Sequence, residues 1–448
     1  MKADTSHNAH PGRPSFKEAF LFWVKLGFIS FGGPAGQIGI MHEFVVDQKR
    51  WISDSKFLHA LNYCMLLPGP EAQQLATYIG WLLHGVRGGL VAGIFFVLPS
   101  VFILLGLSII YVTYGNVPWV SALFDGLKPA VVAIVLLALI KIGQKSLKSG
   151  LHYTVALLSF IAIFFFKVPF PYIILTTIAL ALLIQWMKPH YFQNNKASAD
   201  NVSNEDGFYL NSGSQTAETS FSWQLIVRRS VIAVLLWVVP FILFYLSTQN
   251  FAFWRTLSMF FTKAALVTFG GAYAVLPYVA QVTVEKLGWL SRLQMIDGLA
   301  LGETTPGPLV MVLAFVGFMA GYNEYGGSLA MGALGLLTTT FYTFLPCFLF
   351  ILVGAPVVER TQENARVKVV LGIVTAAVVG VVLNLTVYFG MAVVFTDTDP
   401  QNAVNWFSLG WILVSFVAMY RFKVGMITWI LISALAGLAQ HLVVSNMF

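Results

Sequence analysis

From Gly88 to Tyr114 the chain carries no Lys, Arg, Asp, Glu or His, and Thr154–Phe166 is a second such run. A helix crossing a bilayer needs about 20 consecutive, mostly apolar residues. Inside hydrocarbon, a lone helical segment satisfies its backbone N–H and C=O groups without help from water. Across all 448 residues, 58% are hydrophobic and 10% are charged, against about 25% charged in soluble domains. A water-soluble core cannot hide that much apolar surface behind so few charges. The chain reads as an all-α polytopic membrane protein whose first partner is the lipid bilayer.

The net charge of +7 does not form a nucleic-acid footprint, because the basic residues are scattered through short loops. Cytoplasmic loops enriched in Lys and Arg explain it, and nucleic acid is excluded as a partner. Cys64 and Cys347 each sit in an apolar segment with no partner at metal-ligand spacing, so they read as small core residues and no metal is expected. There is no Gly-rich loop ending in Lys-Ser/Thr, and no Ser/His/Asp set stands out. Neither ATP hydrolysis by that route, nor an enzyme, nor a cofactor is expected. Residues 1–15 are polar and lack a cleavable signal's apolar run, so a cytoplasmic N-terminus is expected, with the first membrane helix serving for targeting.

An internal repeat organises the rest. Phe31-Gly32-Gly33 recurs as Phe269-Gly270-Gly271, 238 residues later. The same spacing relates Trp51 to Trp289, Ser53 to Ser291, Pro68-Gly69-Pro70 to Pro306-Gly307-Pro308 and Gly88-Gly89 to Gly326-Gly327. Lys25 and Lys263 fall in register, as do Asp47 and Glu285. One gapless spacing held over some sixty residues is a duplication. The expected divisions are a polar N-terminus (1–15), a first repeat (16–188), a polar cytoplasmic linker (189–222), a connecting transmembrane helix (223–248) and a second repeat (255–445). Each repeat reads as about six helical segments.

The connecting helix sets the orientation. Lys141, Lys145 and Lys148 share one loop, assigned to the cytoplasm by the positive-inside bias. Two spans later the linker is cytoplasmic too, and one more crossing starts the second repeat on the opposite face. Gly115–Trp119 lacks Lys and Arg, whereas its counterpart Glu359–Lys368 carries Arg360, Arg366 and Lys368. Thr396–Asn405, the counterpart of the basic 141–150 loop, has none, while Lys167 and Arg255 run against the pattern. Two inverted-topology repeats follow, an arrangement found in many secondary transporters.

Within each repeat the Pro-Gly-Pro break interrupts apolar helical pattern. Two prolines remove backbone donors and a glycine frees the turn, leaving orphan amides at the restarting helix. Those amides and the helix dipole favour an anion, and such irregular backbone survives in a membrane only when buried in protein or lining a cavity. The plain alternative is a kink between packed helices. Broken or re-entrant helices are therefore expected here; sequence leaves open which. Candidate binding positions are Pro68, Gly69, Pro70 and Glu71 in the first repeat, and Thr305, Pro306, Gly307 and Pro308 in the second. Gly32, Gly33, Gly270 and Gly271 join them, since paired glycines let backbone approach a ligand or simply another helix. Lys25 and Lys263 are read as inward-facing charges, with snorkelling to headgroups as the alternative. Glu303, His42 and Glu43 are candidates for a proton or charge relay, against capping or structural roles.

Phe31-Gly32-Gly33-Pro34, Leu67-Pro68-Gly69-Pro70-Glu71 with Gln74 and Gly80-Trp81, Phe269-Gly270-Gly271-Ala272-Tyr273, and Glu303-Thr304-Thr305-Pro306-Gly307-Pro308 together resemble the chromate ion transporter family in its long, two-domain form. The resemblance covers roughly 16–190 and 255–440. It implies a bacterial or archaeal multi-pass inner-membrane protein that exports chromate, a small oxyanion, and confers resistance without hydrolysing ATP itself. Sulfate or another oxyanion, with proton-coupled uptake, is the alternative; a membrane-embedded enzyme and a passive anion channel are further rivals. A homodimer is left open.

Overall fold

The structure, a computed structural model, describes residues 12–31, 33–187, 207–211, 223–248, 250–358, 365–395 and 404–445. Gly32, residues 1–11, the linker apart from 207–211 and most of the Glu359–Lys368 and Thr396–Asn405 loops lie outside the described residues.

Among the described residues every regular element is helical, with isolated bridges only at Ile52–Leu210 and Phe395–Val404. The first half holds α1 (Phe16–Ile29), α2 (Gly33–His42) continuing as a π-helical turn (Glu43–Gln48), α3 (Asp54–Leu66), α4 (Glu71–Tyr114), α5 (Pro118–Ser146), α6 (Gly150–Phe164) and α7 (Phe170–Met187). The connector is α8 (Trp223–Ser247). The second half holds α9 (Phe251–Val267), α10 (Ala272–Ala280) with its own π-helical turn (Gln281–Lys286), α11 (Arg292–Thr304), a 3-10 turn (Leu309–Met311) leading into α12 (Val312–Glu324), then α13 (Leu329–Val358), α14 (Ala365–Val394), α15 (Trp406–Tyr420) and α16 (Met426–Ser445). Both π-helical turns, and α3 with α11, keep the 238-residue spacing to the residue. Ser53 and Ser291, in register in the sequence, are the N-caps of α3 and α11. Each accepts a hydrogen bond from an amide that the helix start would otherwise leave unpaired.

Among the described residues, seven helices are long and apolar enough to cross a bilayer: α4, α5, α7, α8, α13, α14 and α16. The leading helices are not among them. With 14 residues in α1 and 13 in α3, each reaches about 20 Å, short of the roughly 30 Å hydrocarbon core. They fold back in pairs. The chain end of the α1–α2 pair comes back beside its start, where Lys49 Nζ lies 2.8 Å from Glu18 Oε1. Phe22 stacks on Phe44 with centroids 3.8 Å apart, and both pack on Trp51. The α3–α4 pair closes on the same mouth, because Arg13 Nε donates to Leu83 O at 3.0 Å and His84 Nε2 sits 2.9 Å from Pro14 O.

The 44 residues of α4 are really two arms, 71–83 and 86–114. Gly85, at φ 65°, turns the chain, and the arms lie so close that a Cβ on Gly80 would meet the Gly88 carbonyl oxygen at 2.5 Å. Small residues permit this approach without a hydrophobic driving force between helices. In the second half α12 and α13 make the same hairpin, with Gly317 against Gly335 and Gly321 against Met331. The long arm of α4 then carries Tyr111 to the second mouth, where its hydroxyl donates to Asp297 Oδ2 of α11 at 2.9 Å. There Asn323 Nδ2 donates to Trp289 O at 2.7 Å and Asn250 Nδ2 to Glu324 Oε1 at 2.6 Å. Linker residue Leu210, by contrast, bridges Ile52 at the first mouth, and its carbonyl accepts from Ser53 N at 2.8 Å.

Candidate functional site

The four short hairpins expose four turns at depth: 30–33, 67–70, 268–271 and 305–308. They pair across the halves. Gly69 N donates to Thr268 O at 2.7 Å, and Gly307 N donates to Ser30 O at 2.7 Å. Ser30 and Thr268 are themselves 238 residues apart, as are Gly69 and Gly307, so each half grips the other by the same bond. The glycine amide between the two prolines is therefore occupied in both copies. The donors that remain are the first-turn amides of the restarting helices, which have no intrahelical acceptor.

Gly69 and Gly307 adopt φ values of 125° and 97°, a region closed to side chains. A Cβ at Gly69 would lie 2.7 Å from Cys347 Sγ and 2.8 Å from Gln74 Nε2, and one at Gly307 would overlap Ser100 Oγ. Ser100 donates to Pro306 O, Gln74 Nε2 to Pro68 O at 2.8 Å and Gln37 Nε2 to Gly307 O at 2.5 Å. The Pro-Gly-Pro turns are thus sealed by neighbours. The Gly-Gly turns are not: a Cβ on Gly33 or on Gly271 meets no heavy atom within 4 Å, although Gly271 is buried. Gly33 is the first residue of α2 and Gly271 the N-cap of α10, so each open spot lies at the amino end of a helix. Gly270 lies nearer to neighbours, with Thr375 and Val378 of α14 beyond it. Gly32 lies outside the described residues.

Several expected residues fall elsewhere. Lys25 and Lys263 do not face inward. Both are exposed, in matching stripes with Leu21 and Phe28 on α1 and with Met259 and Leu266 on α9. The opposite faces of those helices, with Trp23 and Leu26 or Phe261 and Ala264, hold the core contacts, so the inward charge pair is corrected and snorkelling fits the geometry. His42 and Glu43 lie at the mouth, not at the turns: His42 Nε2 is 2.7 Å from Asp54 Oδ1 and Nδ1 is 3.3 Å from Asp47 Oδ2, while Glu43 accepts from Gln48 at 3.1 Å. Glu71 is half-buried at the first position of α4. Glu303 is the acid at depth, buried at 4% exposure and accepting from Tyr273 Oη of α10 at 2.5 Å. Thr305 is buried and spends its hydroxyl on Leu301 O at 2.7 Å.

Ser100, as the neighbour of a Pro-Gly-Pro glycine, was hidden from sequence reading by a change of register. Leu98-Pro99-Ser100 matches Leu345-Pro346-Cys347 at a spacing of 247, not 238, because the second copy inserts its α12–α13 loop between them. Ser100 faces Gly307 and Cys347 faces Gly69, a second reciprocal pair of contacts. Restarting the search for repeats after each glycine pair would have found it.

The sequence profile of the family described as chromate transporter matches residues 17–184 and 254–438. A chromate transport protein of Pseudomonas aeruginosa is 29% identical over 97% of this chain and 94% of its own length. A probable chromate transport protein of Synechococcus elongatus is 27% identical over 87% and 88%, and an uncharacterized transporter of Methanocaldococcus jannaschii is 26% identical over 95% and 94%. No solved structure matches. With both halves matched by one profile and the likeness running nearly end to end, the chain belongs to the chromate transporter family.

Proposed function

We propose that the protein carries chromate, a tetrahedral oxyanion dianion, out of the cytoplasm, and that the anion sits beside the Gly-Gly turns, at the amino ends of α2 and α10. The observation that carries this is the reciprocal clasp, Gly69 N to Thr268 O and Gly307 N to Ser30 O. It brings broken-helix ends of both halves together at depth beside the open space at Gly33 and Gly271. Helix amino ends favour anions through unpaired amides and the dipole. The clasp, the shared element order and the opposed mouths support an inverted repeat, in which one half rocks against the other. The repeats themselves are taken as 16–188 and 255–445.

Export needs no nucleotide. Moving two negative charges outward across about 100 mV, inside negative, releases roughly 4.6 kcal/mol, enough for a gradient of about three decades. Lys141 and Lys145, on the last turns of α5 and not in a loop as the sequence suggested, and Lys148 just beyond support a cytoplasmic first mouth under the positive-inside bias, in a bacterial or archaeal inner membrane with the N-terminus inside. No catalytic role is assigned. The names borne by the Pseudomonas and Synechococcus relatives support chromate as substrate; sulfate, of the same shape and charge, is the competitor to exclude.

The test is radiolabelled chromate flux in proteoliposomes of defined orientation under an imposed potassium-diffusion voltage, with sulfate as competitor. Saturable, voltage-driven chromate flux that equimolar sulfate barely slows is expected. Equal competition by sulfate transfers the reading to another oxyanion, and flux that neither saturates nor shows counterflow makes the protein a channel.

A further inference from the structure

The second mouth contains a charged cluster that the oxyanion reading does not use. A cleft of about 350 Å³ opens there, its wall including Tyr111, Lys128, Gln294, Asp297 and Asn323. Asp297, on the short helix α11, is 6% exposed in its side chain. Its Oδ2 accepts from Tyr111 at 2.9 Å, whereas Oδ1 has no hydrogen-bond donor and lies 3.9 Å from Lys128 Nζ. Lys128 gives its hydrogen bond to Asp125, at 2.9 Å. The charged groups acting on Asp297 are Lys128 and Asp125 of α5, with Tyr111 of α4 beside them. From the other helices packed on α11, Tyr322 of α12 lines the cleft, Tyr388 of α14 is covered by Arg292, and α16 carries His441.

Two carboxylates against one ammonium leave the cluster one negative charge in excess. It repels a dianion and suits a cation. A buried carboxylate oxygen lacking a donor is costly unless something fills the place, and among the described residues no set of three His, Cys, Asp or Glu side chains could cage a metal ion. We infer that Asp297 Oδ1 is a proton-binding site, loaded from the second mouth, whose occupancy is coupled to oxyanion passage. An O–H bond of hydronium in the cleft breaks, a new one forms on Oδ1, and water stays behind. The cluster becomes neutral, Lys128 loses its pull on α11, and that half-helix, ending at Thr304, is freed to move relative to α5. The site has no twin in the first half, where His59 stands at the position of Asp297.

The coupling rests on the transport reading, so the experiment has two arms. In proteoliposomes, a roughly tenfold proton gradient should shift the wild-type equilibrium chromate ratio by about tenfold for one coupled proton. Asp297→Asn should lose that shift and keep voltage-driven flux. Chromate flux that ignores the proton gradient in wild type, or a shift that survives in Asp297→Asn, overturns the inference and leaves transport standing. The second arm is independent of any substrate: infrared difference spectra of the lipid-embedded protein on acidification. A protonated-carboxyl carbonyl band present in wild type and missing in Asp297→Asn supports the site, and identical spectra overturn it. Tyr111→Phe, which keeps the carboxyl and removes one donor, should retain the band with a displaced midpoint; an unmoved midpoint counts against the site. Absence of chromate flux in every variant would refute the substrate assignment, and the spectra would still decide Asp297.

Discussion

Gly69 and Gly307 show why the repeated residues are the ones they are. Each lies between two prolines that cannot donate, holds positive φ, and sends its amide across to the other half. Gly69→Ala is expected to cost about 1–3 kcal/mol in backbone strain alone, and more from overlap with Cys347 and Gln74. Thermal unfolding in detergent should register that loss, with transport falling at least as far. An unchanged melting temperature would mean that the turn is not held as described. Glu303 offers a different test. Buried beside Tyr273 at the opening of α10, an ionised carboxylate would repel a dianion at the neighbouring turn. Glu303→Gln removes that charge and keeps the shape, so chromate should bind at least as tightly as to wild type. Binding weakened tenfold by this change would show that the acid helps recognition through its charge. The sequence made the glycines and prolines legible because each answers a backbone demand that few residues meet. It misplaced Lys25 and Lys263, because which face of a helix points inward depends on its partners and not on the spacing to a motif.

The hairpins belong to the scale of elements. Sequence located the breaks at Pro-Gly-Pro and left open whether the flanking helices cross or return. Contacts speak for return: Phe22 stacked on Phe44 brings the ends of the α1–α2 hairpin together, and 13 or 14 residues are short for a span. The reversal at His84–Gly85 went unread, although His84, Gly85, Arg87 and Gly88-Gly89 interrupt the apolar pattern there. Helix pairs here depend on absent side chains. Gly126 of α5 and Gly437 of α16 abut so closely that a Cβ on Gly126 would fall 2.6 Å from Gly437 N. Gly126→Leu is therefore expected to separate α5 from α16 and destabilise the fold by several kcal/mol, on the order of other overpacked contacts. Reduced yield of folded protein on size-exclusion chromatography would report it. The same substitution at Gly106, where a Cβ meets nothing within 4 Å, should be silent.

For the whole molecule, the proposed inversion would make paired positions face opposite compartments. Asp47 and Glu285 are in register and both exposed, while the two native cysteines are buried and should give little background. In whole cells, a membrane-impermeant thiol reagent should label Glu285→Cys and spare Asp47→Cys until the membrane is opened. Labelling of both from one side would undo the inversion. Duplication was readable from one spacing, while the orientation inferred from loop charge is what the labelling tests. The crossed grip of the halves was not readable, because it joins atoms 199 and 277 residues apart that are backbone groups without sequence identity (Gly69 to Thr268, Ser30 to Gly307). Chromium scatters anomalously, so diffraction from crystals of the full chain soaked in chromate can place the anion without assumption. A single chromium peak beside Gly33 and Gly271, within reach of the amino ends of α2 and α10, is the expected result. A peak against Lys25 or Lys263, or at a surface remote from all four turns, would contradict the proposed site.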